Sequence, residues 1–322
     1  MSPRVRRKVR GGIDLGGTKI QTVVVDSKHK VLGEARGETP LEGGPQDVAD
    51  AMVITLREAV EEAGVETAAM SGVGVGSPGA VGEDGSVSEA RNLPGWEGMF
   101  PLAETLSGEL GTAVRVGNDV QVATDAEFAI GVGQPYKSLL GVFWGTGVGG
   151  GLIIDGKPWL GRGAAGEIGH MVVKEDGKKC PCGRHGCMEA YAGRIAMEAE
   201  ARHRHKKGEK TELFKLQEKK DKPRLTSGIW EDALNDGDKL AKHLFDRAIE
   251  ALGTGVASAV NLIDPEAVVI GGGMGVRFGQ PCADRILEEM KPHLFVDENP
   301  PVVDVAALGD LGGAIGAAML VA

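Results

Sequence analysis

The chain has 322 residues, 42% of them hydrophobic, and a formal net charge of −10. That length suffices for two domains, and the acidic balance argues against nucleic acid as the main partner, because phosphate-backbone binders concentrate positive charge. The longest uncharged stretch, Ser138 to Ile154, is too glycine-rich to cross a bilayer. A cytoplasmic protein with no membrane partner is expected.

The first ten residues carry Arg4, Arg6, Arg7, Lys8 and Arg10. They read as a solvated tail, since no hydrophobic signal-peptide core follows them. GGIDLGGTKIQTVVVDSKHKVLGE (Gly11 to Glu34) then reads as an apolar strand, a Gly/Thr turn, a β-branched strand, a short turn carrying Asp, and a third strand. In the first turn, Gly16 and Gly17 let backbone N–H groups reach phosphate oxygens, and Thr18 and Lys19 add donors. Asp14, at the strand end, suits a Mg²⁺ held mainly through water. The plain alternative is an ordinary tight hairpin.

Helices are predicted over Pro45 to Gly64 and Leu102 to Leu110, and a strand over Met70 to Gly76 leading into GSPGAV. A short strand, Ala113 to Asp119, ends in Gly-Asn-Asp. Asn118 can anchor a hydroxyl and Asp119 can accept its proton, as phosphoryl transfer to an alcohol requires. Alone, such a pair reads more simply as a helix cap.

LLGVFWGTGVGGGLIIDGKPWLGR (Leu139 to Arg162) repeats the first pattern, which suggests two related α/β halves. Its turn, Gly145, Thr146 and Gly147, is a looser copy of the first glycine turn. Gly145 to Gly150 and Gly74 to Gly79 both fit G-x-G-x-x-G, but neither is followed by a ribose-binding acid about 20 residues on. Gly151 to Pro158 misses a P-loop because Pro158 stands where Ser or Thr is required.

Cys180-Pro-Cys182-Gly-Arg-His-Gly-Cys187-Met-Glu189 puts three of the chain's four cysteines into eight residues. Gly183 and Gly186 supply the turns of a tight knuckle, and His170, ten residues upstream, can complete a Cys₃His zinc set. A disulfide pair with a spare thiol is the alternative, disfavoured in a reducing compartment. Glu167, His170 and Glu189 flank the knuckle and can accept or donate hydrogen bonds to a polyol; a surface salt bridge is the plainer role for each glutamate. Cys282 stands alone and reads as a buried residue.

The stretch His203 to Arg224 is highly charged, nearly free of core residues, and reads as an exposed helical excursion or mobile insert. Lys239 to Leu262 is the strongest amphipathic helix, stopped by Pro265. AVVIGGG (Ala267 to Gly273) is a buried strand, and a side chain at Gly272 would collide with an approaching base or ribose. A small-residue helix closes the chain and suits close packing on a sheet. Strands alternating with helices imply an α/β architecture.

DLGGTK, GSPGAV, NLPGW (Asn92 to Trp96), GND, GTGVGGG, GEIGH, CPCGRHGCME and VIGGGM together resemble the ROK family (repressors, open reading frames, kinases) of sugar kinases, and within it the bacterial ATP-dependent glucokinases. The resemblance runs from about Gly12 to the C-terminus. It implies an actin-like, ribonuclease-H-like duplicated fold, two lobes with the active site in the cleft between them. The expected lobes are a small one, 1–118 plus 308–322, and a large one, 119–307, with the knuckle and a charged insert at about 200–228. It further implies Asp119 as catalytic base and Gly79, Asn118, Asp119, Glu167, His170 and Glu189 as sugar-binding residues. Asp14 to Lys19 and Gly145 to Gly149 resemble two phosphate loops, and Gly271, Gly272 and Gly273 an adenosine loop. His170, Cys180, Cys182 and Cys187 match zinc ligands, expected to lie remote from the glycine loops. ATP, Mg²⁺, a structural Zn²⁺ and a homo-oligomer are implied. Only about ten residues precede the first strand, too few for the winged helix of the family's repressors. The expected activity is transfer of the ATP γ-phosphoryl group to the 6-hydroxyl of D-glucose. The rivals are a kinase for another hexose or N-acetylhexosamine and a non-catalytic sugar sensor.

Overall fold

A computed structural model describes residues 9–90 and 93–322. Arg4, Arg6, Arg7 and Lys8 of the basic run, and Asn92 at the head of NLPGW, lie outside the described residues. The described elements begin with strands β1 (Arg10–Leu15), β2 (Lys19–Val25) and β3 (Val31–Glu38), helix α1 (Pro45–Glu62), and strands β4 (Val73–Ser77), β5 (Ala80–Val81) and β6 (Val87–Ser88). Helix α2 (Leu102–Leu110), strand β7 (Val114–Asn118) and helix α3 (Asp119–Ile130) follow. The repeat contributes β8 (Leu139–Trp144), β9 (Val148–Ile154) and β10 (Lys157–Pro158). Helices α4 (Glu189–Ala192), α5 (Arg194–Lys206), α6 (Leu213–Lys219), α7 (Ser227–Asn235) and α8 (Lys239–Ile263) come next. The chain ends with β11 (Ala267–Gly271), α9 (Gly272–Met290), β12 (Val302–Val305) and α10 (Gly312–Met319).

Two five-stranded sheets have the same layout. Their orders are β3-β2-β1-β4-β7 and β10-β9-β8-β11-β12. In each, a hairpin supplies the antiparallel side and later strands add in parallel. The sequence repeat is therefore a repeat of topology, and the fold is the duplicated α/β arrangement it predicts.

The chain forms two compact units. The first comprises the described residues up to Gly131, Pro158–Ala165 and Ala307–Ala322; the second comprises Val132–Lys157 and Gly166–Ala306. The expected boundary at residue 118 falls before α3, whereas the structure keeps α3 in the first unit. The reason is α10. Gly316 lets α10 approach the carbonyl of Val122 in α3, and Glu127 of α3 accepts the Leu308 N–H at 2.8 Å.

Within the first unit, α1 turns Val48, Met52, Leu56 and Ala59 onto the sheet at helical spacing. Each fully buried Met or Leu contributes roughly 1.5–3 kcal/mol. On the other face, Gly12 and Gly74 let the α10 backbone lie against β1 and β4, so the small-residue helix packs as its composition predicts. Arg10 belongs to β1 rather than to a solvated tail: it is buried and donates to the Asp26 carbonyl at 3.3 Å.

The second unit is built on β11, buried along its whole length as a central parallel strand requires. It ends at Gly271, two residues sooner than expected, because Gly272 opens α9. The charged stretch is more ordered than its composition suggests. Leu213 and Leu225 are fully buried. Thr211 Oγ1 and the Glu212 N–H both donate to Asp238 Oδ2, at 2.8 and 2.6 Å. Among the described residues, no helix is long and apolar enough to cross a membrane.

Candidate active site

In the first unit, β1 and β2 pair from Asp14↔Gln21 to Leu15↔Ile20, and the turn closes with Gly16 N–H donating to the Lys19 carbonyl at 2.9 Å. Buried Thr39 locks this turn, its hydroxyl donating to the Gly16 carbonyl at 2.6 Å. Lys19 Nζ lies 3.1 Å from Asp310 Oδ2, with Arg36 Nη1 3.7 Å from the same oxygen. Asp14 stands at the strand end beside Asp119. Burial first, and the Asp119 charge second, push its carboxyl up to about 7, against the pull of Lys19.

Strand β7 delivers Asn118 and Asp119 to the start of α3. Asn118 caps that helix: its Oδ1 accepts the N–H groups of Val120 and Gln121, both at 3.0 Å. The side-chain oxygen is thereby used, which leaves the amide NH₂ as the group that can meet a ligand. The Val120 N–H also donates to Asp119 Oδ1 at 2.9 Å, which orients the carboxylate at a helix N-terminus. Gly79 takes φ +90° where the chain leaves β4 toward β5.

In the second unit the turn from β8 to β9 holds Gly145, Thr146 and Gly147, and α9 starts beside it. A Cβ on Gly145 would stand 3.6 Å from the Gly273 nitrogen. The N-cap of α9 is Gly271, with no capping side chain, so the first N–H groups of this helix remain available to an anion. Gly272 has φ +77°, and a Cβ there would lie 2.5 Å from the Trp144 carbonyl oxygen. The collision expected with a nucleotide therefore occurs first with the protein's own backbone.

The four expected metal ligands converge. One ligand atom each from His170, Cys180, Cys182 and Cys187 lies within 4.8 Å of all the others. Cys182 Sγ and Cys187 Sγ are 3.7 Å apart, and His170 Nδ1 is 3.8 Å from Cys180 Sγ. Tetrahedral bonds of about 2.3 Å to zinc separate sulfurs by about 3.8 Å, so the donor set fits that ion. All four cysteines are free, and the disulfide alternative fails. Burial pushes the Cys180 thiol up to about 12 and that of lone Cys282 likewise to about 12. The His170 ring turns Nδ1 to the knuckle and Nε2 toward Glu167, 3.9 Å from its Oε2.

The knuckle is not remote from the second glycine loop, as the sequence led us to expect. Glu189 Oε2 accepts the Val148 N–H at 2.9 Å and also faces Gly147, while Oε1 lies 3.9 Å from Cys180 Sγ. One carboxylate joins the two features. Sequence reasoning missed three further residues at these loops: Thr39, Asp310 and Arg194. Arg194 Nη2 donates to Thr146 Oγ1 at 3.1 Å. Their partners lie far away in the chain, and no local pattern marks them.

The sequence signature of the ROK family covers residues 10–322. The chain is 33% identical to the glucokinase of Thermotoga maritima over 311 residues, 92% of this chain and 94% of that one. It is 32% identical to an N-acetylgalactosamine kinase of a Shewanella species over 323 residues, 96% and 95% of the two chains. The crystal structure of a ROK-family glucokinase from Streptomyces griseus, in complex with glucose and AMPPNP, superposes with a TM-score of 0.83 at 32% identity, covering 97% of this chain and 98% of that one. The chain belongs to the ROK family, and its fold is the actin-like one of the family's kinases.

Proposed function

We propose that this chain is a sugar kinase that transfers the γ-phosphoryl group of ATP to the 6-hydroxyl of D-glucose. The observation that carries the proposal is the register that brings Asp14, at the end of β1, and Asp119, just after β7, to the same end of β4, in a chain whose relatives over nearly full length are sugar kinases. One carboxylate takes a proton and the other handles charge near phosphate. Asp119 accepts the proton of the 6-hydroxyl as that oxygen attacks the γ-phosphorus, and the bond to the β–γ bridging oxygen breaks. The products are glucose 6-phosphate and ADP.

The remaining roles are those the family resemblance implies, and the donor chemistry of the polar residues suits them. Gly79, the Asn118 amide, Glu167, His170 Nε2 and Glu189 bind the sugar. Gly16 to Lys19 and Gly145 to Gly147 offer N–H, hydroxyl and ammonium donors to phosphate oxygens, and Gly271 to Gly273 admit the nucleoside. Asp14 would hold Mg²⁺, which supplies positive charge against the transferring phosphoryl group. His170, Cys180, Cys182 and Cys187 would hold a structural zinc, which fixes the His170 tautomer and ring plane.

The second reading, an N-acetylhexosamine kinase, is favoured by the 32% identity to the Shewanella enzyme. A coupled assay of ADP release over a panel of sugars separates the two. Glucose should give the highest kcat/KM; an N-acetylhexosamine tenfold better would establish the second reading instead.

A further inference from the structure

Arg194 is the first residue of α5, and its backbone already rests on the second glycine loop. The Arg194 N–H donates to the Gly145 carbonyl at 3.1 Å and the Ile195 N–H to the Thr146 carbonyl at 3.2 Å. The side chain adds two bonds in opposite directions. Nη2 donates to Thr146 Oγ1 at 3.1 Å, and Nη1 donates to the Leu225 carbonyl at 2.8 Å. One helical turn on, Glu198 Oε2 accepts the Leu225 N–H at 3.1 Å. Leu225 is fully buried, and α5 thus holds both of its backbone polar groups through one pair of side chains. Leu225 follows the charged insert and precedes Thr226, whose hydroxyl caps α7. The Arg194 guanidinium thus bridges Leu225, directly after the insert, and Thr146 of the glycine loop.

The consequence lies in the Thr146 hydroxyl. A hydroxyl has one proton to give and lone pairs to receive, whereas a guanidinium can only give. Because Arg194 donates to Oγ1, the Thr146 proton must go to another acceptor. A phosphate oxygen is such an acceptor, and the neighbouring cation strengthens the bond.

We propose that Arg194 is a positioning residue which makes Thr146 an obligate donor to a nucleotide phosphate, with Leu225 as its fixed anchor. The proposal rests on the reading of Gly145 to Gly147 as a phosphate loop. It also gives the charged insert a role, since the residue directly after it, Leu225, presents the carbonyl that aims Arg194.

Calorimetric titration of ATP into the full chain, with steady-state KM values for ATP and sugar, tests the proposal on four variants: Thr146→Val, Arg194→Met, Arg194→Lys and the Thr146→Val/Arg194→Met double. Thr146→Val and Arg194→Met should each weaken ATP binding about tenfold, the size of one charge-assisted hydrogen bond, and leave the sugar KM unchanged. The double variant should bind ATP no worse than Thr146→Val alone. Arg194→Lys keeps one donor for Oγ1 and should recover most of the ATP affinity, while its thermal midpoint should fall, as in Arg194→Met, because the Leu225 carbonyl loses its guanidinium donor. Should Arg194→Met fail to fold, Arg194→Lys carries the test by this split. Unchanged ATP binding in Thr146→Val would remove the phosphate-loop reading itself. If Thr146→Val binds ATP weakly but Arg194→Met binds it normally, the loop reading stands and the Arg194 proposal is overturned. Additive losses in the double variant, or a Lys variant as weak as Met, overturn it equally.

Discussion

Glu189 accepts the Val148 N–H at 2.9 Å, so the residue two places after Cys187 holds the end of the glycine loop that precedes β9. The contact decides what losing a metal would do. This carboxylate couples knuckle and loop directly, beside the backbone bonds that Arg194 and Ile195 make to the same loop, so disturbance at the cysteines should reach the loop.

Cys182→Ser should therefore weaken glucose binding, as a loosened His170 and Glu189 require, and also weaken ATP binding by a few-fold. Metal analysis of the unaltered protein should find about one zinc per chain, as a four-ligand closed site implies. Calorimetry with each substrate, beside elemental analysis, checks all three. ATP affinity preserved in a zinc-free variant would show that Glu189 does not transmit the change.

Asp119→Asn should lower turnover by at least about 10²-fold, the usual cost of a lost general base, with glucose affinity retained. Asn118 continues to cap α3, since both of its accepted bonds come from backbone groups. The variant should thus fold normally, and a circular-dichroism melt beside the kinetic assay separates lost chemistry from lost structure. Turnover near that of the unaltered enzyme would remove Asp119 from the role of base.

Asp14 links pH to stability. Its carboxyl sits at about 7 in the folded chain against an ordinary 3.8. Between those values the folded chain holds a proton that the unfolded chain has released. This group's contribution to stability must then fall as pH rises from about 4 to about 7, and level off above. Asp14→Asn abolishes that slope, so urea midpoints of the variant should gain on the unaltered protein across this interval and run parallel above it. Curves parallel throughout would mean that Asp14 ionises as freely in the fold as outside it.

What could be read from the sequence was chemistry carried by residue type at short range. Three thiols in eight residues, paired glycines at strand ends and one repeated strand–turn–strand pattern required no contacts to be known. Helices α1, α2 and α8 also announced themselves, because their apolar residues recur at helical spacing. Helix α3 did not: Asp119 to Ile130 buries Gln121, Thr124 and Glu127 along with its apolar residues, which blurs the pattern. Helix α9 was hidden by its start, where three glycines in a row read as the end of a strand. Arg194 left no local trace, because its partners Thr146 and Leu225 are 48 and 31 residues away.

At the proposed nucleotide loop, neighbouring glycines should behave differently. Gly272 has φ +77°, and its added Cβ would meet the Trp144 carbonyl at 2.5 Å, whereas Gly273 has nothing within 4 Å. A β-branched residue at 272 suffers both left-handed strain and a backbone collision. Gly272→Val should therefore lower the thermal midpoint by more than about 5 °C, given a few degrees per kcal/mol for a unit of this size, and impair both substrates together. Gly273→Val meets open space in the fold, and that space is what the proposed nucleoside needs. It should leave the midpoint and the sugar KM within error while raising the KM for ATP about tenfold or more, the cost of a lost close approach. Melting curves and a two-substrate kinetic matrix on the pair decide the matter. If Gly273→Val binds ATP normally, the nucleoside does not approach this loop, and the assignment of Gly271 to Gly273 must be given up.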